Sequence, residues 1–111
     1  MKDKTRLKDY LNCISRIAPL TEAELRLAVA ARHNGDERAG RLLEERFLPA
    51  VVRWVLPYRG RGVELEDLIH AGNRALLRGL KRLKPGTEAA AEDILETTVV
   101  EEVESIVLLR Y

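Results

Sequence analysis

The sequence has little cysteine and little histidine, and both shortages limit the chemistry it can carry. Cys13 is the single cysteine among 111 residues, so no disulfide can form within them, which is typical of a reducing compartment. We expect this thiol to be a small buried hydrophobe rather than a reactive group. With His33 and His70 as the two histidines and no cysteine pair, no metal site is predicted.

Long apolar runs are also missing. No stretch approaches the roughly 18 consecutive apolar residues needed to cross a bilayer, and residues 1–6 lead into no apolar signal core. We therefore expect a cytoplasmic protein. Hydrophobic residues make up 46% of the chain and charged residues 33%, which is typical of a mainly helical globular protein. The length predicts a single domain over residues 1–111.

The charge is divided unequally along the chain, although the net charge is only +1. Residues 1–86 hold 18 basic and 11 acidic residues, a net charge of +7, whereas residues 87–111 hold one basic and seven acidic residues, a net charge of −6. Such a division indicates separate partners for the two segments, or an acidic segment that folds against its own basic body. Either interpretation disfavours nucleic-acid binding by the C-terminal segment.

Apolar residues recur at three- and four-residue spacing, which predicts an all-α, compact helical domain of about five helices. The first helix is expected over about residues 6–17. Thr21 and Glu24 have the spacing of a capping box and predict the start of the second helix. Asp36 is a candidate N-cap for the third, in which Pro49 predicts a kink or a restart.

The clearest helix is predicted over residues 64–83, where seven apolar or small residues keep helical spacing. Residues 84–86 break the chain, and residues 87–111 are expected to form an acidic C-terminal helix that begins at about residue 89. The β-branched run at 97–100 leaves a short strand open as an alternative.

The helix over 64–83 carries two poor helix formers at its centre, Gly72 and Asn73. This pair predicts a close helix approach at Gly72 and an exposed amide at Asn73 that is kept for a partner. Four residues lie near Asn73 on the helix surface: Asp67, His70, Arg74 and Leu77. Together they form a polar stripe with an apolar edge, which is typical of a surface that docks another helix.

Catalytic chemistry is not predicted. Ser15 and Ser105 have no base and carboxylate near them in the pattern, so no nucleophilic arrangement is indicated. The turn at 59–62 has two glycines and two arginines. It lacks the Gly-Lys-Ser/Thr ending of a phosphate-binding loop, and no strand is predicted before it. We therefore expect neither an enzyme nor a cofactor.

Several linked motifs resemble one family. Residues 67–77 (D-L-I-H-A-G-N-R-A-L-L) are similar to the stretch D-L-I-Q-E-G-N-x-G-L-M of bacterial RNA polymerase sigma factors of the sigma-70 family, and residues 58–62 resemble the Y-x-G-R-G turn before it. Upstream motifs continue in register from residue 9, so the resemblance covers residues 9–84. It implies an all-α domain like sigma region 2.

The resemblance also implies a partner and a set of contact residues. In the family, a polar helix face grips the clamp coiled coil of the largest subunit of core RNA polymerase. The residues that match the gripping positions by the motif are Leu48, Asp67, His70, Asn73 and Leu77. The helix over 64–83 would then carry the docking surface.

The sequence departs from the family pattern in three places. Phe47-Leu48-Pro49-Ala50 stands where the family has N-L-R-L. His70-Ala71 replaces the family's Gln-Glu pair, so one carboxylate facing the polymerase is missing. The aromatic-rich segment that melts promoter DNA is replaced by the acidic residues 87–111. Because strand opening requires aromatic faces and cations, we expect a sigma-like protein that does not melt promoters alone.

Two other functions remain open from the sequence. The chain could bind DNA through a basic face, for which the candidate residues are Arg59, Arg61, Arg74, Arg78 and Lys81. It could also be a protein-interaction module that regulates sigma or anti-sigma factors, in which case the acidic C-terminal helix would lie across the basic stripe.

Overall fold

The computed structural model describes residues 4–110 and the side chains of residues 5–109. Two short 3-10 turns lie at Leu56–Tyr58 and Glu88–Ala90. The five α-helices of the described range are α1 (Lys4–Ser15), α2 (Glu22–His33), α3 (Glu37–Val55), α4 (Leu65–Leu80) and α5 (Ala91–Arg110). This confirms the all-α fold. The residues at 97–100 lie inside α5, so the alternative of a strand there is wrong.

Side-chain caps fix the starts of α2 and α3. The backbone N–H of Glu24 donates to Thr21 Oγ1 at 3.1 Å, and the backbone N–H of Thr21 donates to Glu24 Oε1 at 2.9 Å. The predicted capping box is therefore present. These bonds from Thr21, the backbone one first, hold the pKa of the Glu24 carboxyl below its usual value. At the start of α3, Asp36 Oδ1 accepts from the backbone N–H of Arg38 at 2.9 Å.

Helix α3 continues through Pro49, where a kink or restart was predicted. It is one helix of 19 residues. Pro49 has no N–H to donate to the carbonyl of Glu45, one turn earlier, and Glu45 is an exposed residue. Water can solvate an exposed carbonyl, so the missing bond does not end the helix.

Helix α4 is shorter than the predicted 64–83. It ends at Leu80, and the next residues form a tighter turn in which Arg82 N–H donates to the Gly79 carbonyl at 3.0 Å and Leu83 N–H to the Leu80 carbonyl at 3.2 Å. Bonds of this three-residue spacing are common where α-helices end. Leu83 remains buried, which explains why its apolar spacing extended the prediction.

The core lies where α3, α4 and α5 meet. Helix α4 buries eight of its 16 residues. Helix α5 contributes a row of buried residues at four-residue spacing, called its seam below. The members of that seam are Ala91, Leu95, Val99, Val103 and Val107. Helix α2 adds Ala28 and Val29, whereas Ile14 is the one buried side chain among those described in α1.

Two apolar residues lie at the surface beside buried neighbours, and one of them, Cys13, was predicted to be buried. Cys13 is exposed, because the inward face of α1 passes through Leu7, Tyr10 and Ile14 and position 13 is turned about 100° from position 14. Leu42 is 36% exposed for the same reason, since it lies one residue away from the fully buried Leu43.

Glycine allows the close approach of α4 to its neighbours, as predicted at Gly72. A Cβ at that position would lie 2.8 Å from Val51 Cγ1 and 3.4 Å from Val99 Cγ1. A Cβ at Gly79 would lie 2.8 Å from Leu95 Cδ2. Carbon atoms in contact are normally about 3.5–4.0 Å apart, so neither position has room for a side chain.

We predict opposite effects for two glycine-to-alanine changes in helices. Gly72→Ala should destabilise the fold by about 1–2 kcal/mol, because overpacking against Val51 outweighs the gain of about 1 kcal/mol in helix propensity. Gly40→Ala is the matched control, since its nearest atoms belong to the Arg32 side chain at 3.9 Å. It should stabilise by roughly 0.5–1 kcal/mol. Urea unfolding monitored by circular dichroism measures both, and equal effects would contradict the close packing at Gly72.

Candidate functional site

Helix α4 presents one exposed stripe to solvent. Five exposed residues follow each other at three- and four-residue spacing, four within α4 and the fifth at its C-cap position, which places them on one side of the helix. We call them the outer stripe: Asp67, His70, Arg74, Leu77 and Lys81. Leu77 is 43% exposed and supplies an apolar group within this charged surface. Three of the five predicted polymerase-binding residues therefore lie on a single helix face.

Asn73 does not lie on the outer stripe, and the predicted exposed amide is wrong. The residue is half-buried, and its Nδ2 donates to the Tyr10 hydroxyl of α1 at 3.3 Å. Its Oδ1 is buried and has no hydrogen-bond partner among the described residues. The cause is α1, which packs beside α4 and covers this part of its surface.

Leu48 lies on α3 and is half-buried against the hydrophobic core. It is therefore on a different helix from the four other predicted polymerase-binding residues, and its side chain is shared between core packing and the surface.

His70 has an acidic neighbour one turn away. Its Nε2 lies 3.9 Å from Glu66 Oε1. Because the imidazole carries charge only when protonated, this contact is an ion pair only in the protonated form. The distance is too long for a hydrogen bond, so the imidazole remains available on the outer stripe.

The basic turn before α4 carries two of the candidate nucleic-acid residues, Arg59 and Arg61, both exposed. Gly60 and Gly62 have φ values of +79° and +92°, which side chains rarely adopt. The Arg61 guanidinium lies over the ring of Tyr58, 5.4 Å from its centroid, at the distance of a cation–π contact.

Side chains of α5 contact residues near both ends of α4. Arg78 forms an ion pair with Glu102, and Arg82 Nη1 donates to Thr98 Oγ1 at 3.2 Å. The Tyr58 hydroxyl donates to Glu104 Oε2 at 3.1 Å. Burial and this carboxylate, in that order, raise the pKa of Tyr58 above its usual value. The acidic helix thus lies across part of the basic face, and Arg78 is neutralised within the chain.

The sequence did not single out the partners in these contacts. Tyr10 lies in the segment that matches the family motifs, but no hydrogen bond was predicted for it. Glu102 and Glu104 were counted only among the seven acids of residues 87–111. The division of charge along the chain indicated that α5 could face the basic body, but no pattern in the sequence specifies which acid meets which arginine.

Among the described residues, no group of three or more histidine, cysteine, aspartate or glutamate side chains is placed to hold a metal ion. Within the same range, no helix is long and apolar enough to cross a membrane.

The fold is thus an all-α domain whose central helix exposes a polar stripe, and comparison with known proteins relates it to one family. The family model for Sigma-70 region 2 matches residues 43–93, which include the whole of α4. The predicted resemblance to the sigma-70 family is therefore confirmed.

Two curated relatives carry the same family name. The chain is 40% identical over 74 residues to the RNA polymerase sigma factor SigA of a Bacillus species, across 66% of this chain. It is 37% identical over 68 residues to the RNA polymerase sigma factor RpoS of Coxiella burnetii, across 60% of this chain. The alignment covers 19% of each relative's length, so this chain corresponds to about a fifth of either protein.

We predict that the acids of α5 weaken nucleic-acid binding by the basic face. Glu102 pairs with Arg78, and Glu104 accepts from Tyr58, whose ring lies under Arg61. Neutralising both, Glu102→Gln with Glu104→Gln, should raise the affinity for single-stranded DNA about tenfold at low salt, because Arg78 is released for phosphate contacts. The matched control removes two exposed acids of the same helix, Glu96→Gln with Glu101→Gln. Fluorescence anisotropy at several salt concentrations measures both pairs. An equal increase for both would show a net-charge effect and contradict local masking.

Proposed function

We propose that this chain is a sigma-factor-like transcription protein that docks on core RNA polymerase through α4. The observation that carries the proposal is the outer stripe, an exposed polar face with Leu77 within it, on a helix that lies wholly inside the segment matching Sigma-70 region 2. The two curated relatives are named RNA polymerase sigma factors, which supports the same class of partner.

The partner surface that best fits the outer stripe is another helix, in accordance with the clamp coiled coil implied by the family resemblance. From Asp67 to Lys81 the stripe extends about 21 Å along α4 at 1.5 Å per residue. A partner helix lying along it would cover Leu77 and meet charges of both signs. Buried apolar anchors surrounded by polar contacts are typical of helix-docking interfaces.

We further propose that the chain does not melt promoter DNA alone. In the family, an aromatic-rich segment follows the docking helix, whereas here α5 follows and contains no aromatic residue. The apolar side of α5 fills the core, and its outer side carries exposed carboxylates, including Glu92, Glu96 and Glu101. These would repel phosphates and offer no ring on which a flipped base could stack.

A second candidate function is a protein-interaction module that regulates a sigma or anti-sigma factor. One observation favours it over binding to DNA: Glu102 of α5 is paired with Arg78 on the basic face. A face that is partly neutralised within its own chain attracts phosphates less strongly. In neither case do we propose an enzymatic role. A cytoplasmic location would follow from the proposed polymerase partner.

Reversing one charge on the outer stripe tests the docking proposal. Asp67→Lys should weaken binding to purified core RNA polymerase at least about tenfold, equivalent to about 1.4 kcal/mol. Asp93→Lys is a closely matched control, because both aspartates are exposed third residues of their helices and both changes remove the same favourable interaction with a helix N-terminus.

The measurement is a native gel titration of core polymerase with each variant, after circular dichroism has shown that both are folded. Loss of binding for Asp67→Lys alone supports docking through α4. Equal loss for the two variants would indicate a general charge effect, and no binding by the unaltered protein would contradict the proposed function.

A further inference from the structure

A second concave surface of the molecule contains no residue of the outer stripe. It lies along α3, between the start of α2 and the segment that leads into α5, and the turn between α1 and α2 closes one end of it. Its volume is about 390 Å³, which is within the range of cavities that hold ligands. We call this surface the α3 groove.

The floor of the α3 groove is apolar and incompletely covered. Leu20, Leu25 and Phe47 come from three different segments, and each is half-buried and packed against the hydrophobic core. Their solvent-facing parts meet in one concavity instead of being scattered over the surface. Apolar surface that is gathered in this way is typical of a site that a partner covers.

Hydrogen bonds within the chain hold the walls of the α3 groove in place. Arg46 Nη1 donates to the Ala18 carbonyl at 3.2 Å, which ties the turn between α1 and α2 to α3. The capping box at Thr21 fixes the start of α2. The backbone N–H of Gly86 donates to Glu88 Oε2 at 2.9 Å, which fixes the approach to α5. The groove is therefore formed in the free protein, and a partner binds it with little loss of conformational entropy.

Charged groups of both signs stand around the apolar floor. Arg46 and Arg53 are two turns apart on α3, about 10 Å along the helix axis, and Pro49 and Ala50 lie between them. Three carboxylates come from the start of α2 and from the segment that leads into α5: Glu22, Glu88 and Glu92. Three carboxylates against two guanidinium groups disfavour a polyanion such as nucleic acid. They suit a peptide that carries side chains of both signs.

We propose that the α3 groove binds a segment of a partner protein in which an apolar side chain lies between an acidic and a basic one. The apolar side chain packs on Phe47, the acidic one meets Arg53, and the basic one meets the carboxylates of the opposite wall. Because the groove and the outer stripe share no residue, the two surfaces can be occupied together. The inference therefore goes beyond docking on core RNA polymerase and does not depend on it.

The first test is a titration of the whole chain with a capped tetrapeptide of aspartate, two leucines and lysine. In amide NMR spectra the peptide should shift the signals of Leu25, Phe47 and Ala91, with a Kd of about 1 mM because the ligand is short. A peptide with serines in place of the leucines should bind at least about tenfold more weakly, since the apolar contact is lost. Equal affinity for the two peptides, or shifts that avoid the groove, would overturn the inference.

Two alanine-to-tryptophan changes test the location. Ala89 and Ala23 are both exposed, but Ala89 lines the α3 groove and Ala23 does not. Ala89→Trp should fill the groove and weaken binding of the leucine peptide at least about tenfold, whereas Ala23→Trp should leave it unchanged. If the two variants bind the peptide equally well, the peptide lies elsewhere and the inference fails.

The charged rim is tested separately from the apolar floor. Arg53→Gln should weaken binding of the leucine peptide about threefold, which is the effect expected for an exposed ion pair. Arg41→Gln is the control, since Arg41 is an exposed arginine of α3 outside the groove. Equal affinities of these two variants would show that the rim does not recognise the acidic side chain, contrary to the inference.

A short oligothymidylate distinguishes a peptide site from a nucleic-acid site. It should leave the signals of Leu25, Phe47 and Ala91 unshifted, because the carboxylates of the groove repel phosphates. If it shifts these signals and displaces the peptide, the groove is a nucleic-acid site and the inference is overturned. None of these measurements involves core RNA polymerase, so their outcome is separate from that of the docking proposal.

Discussion

The close packing of α4 against two neighbours at once is the constraint on which the rest of this structure depends. Valines of α3 and α5 reach the α4 backbone at Gly72, and Leu95 of α5 reaches it at Gly79, so neither glycine leaves space for a Cβ. That contact fixes which part of α4 is buried and therefore which part faces solvent. The outer stripe is the remaining surface of a helix whose other sides are occupied by the core, and its orientation is set by packing rather than by its own residues.

Helix α5 completes the fold with one face and presents acidic side chains on its exposed surface. Its apolar seam supplies Leu95, Val99 and Val103, which are fully buried, so the core would be open without it. Its other sides are acidic, and Glu102 neutralises Arg78. In the sigma factors that the chain resembles, the segment at this position opens promoter DNA. In this chain the position is filled by a helix with exposed carboxylates, in accordance with the proposal that the chain does not melt promoter DNA alone.

Much of the fold followed from the sequence because its local signals agree with one another. Capping residues, glycines and helical apolar spacing located the five helices, and the family motifs located α4. The failures have a common physical cause, since they depend on which helix lies beside a given residue. Cys13 lies one position away from the buried face of α1, and Asn73 is covered by Tyr10, which is 63 residues earlier in the chain. Spacing along one helix does not specify such neighbours. The roles of the site residues remain predictions.

The unequal distribution of charge has a kinetic consequence. The charges of the basic body and of the acidic helix are unequally distributed, although the net charge is only +1. In the field of a charged partner, such a molecule experiences a torque that turns it before contact, and encounter in the productive orientation becomes more frequent. At physiological ionic strength the field decays over about 8 Å, so the torque acts only in the last few ångströms of approach. For the partner proposed above, orientation would then be selected at the moment of encounter.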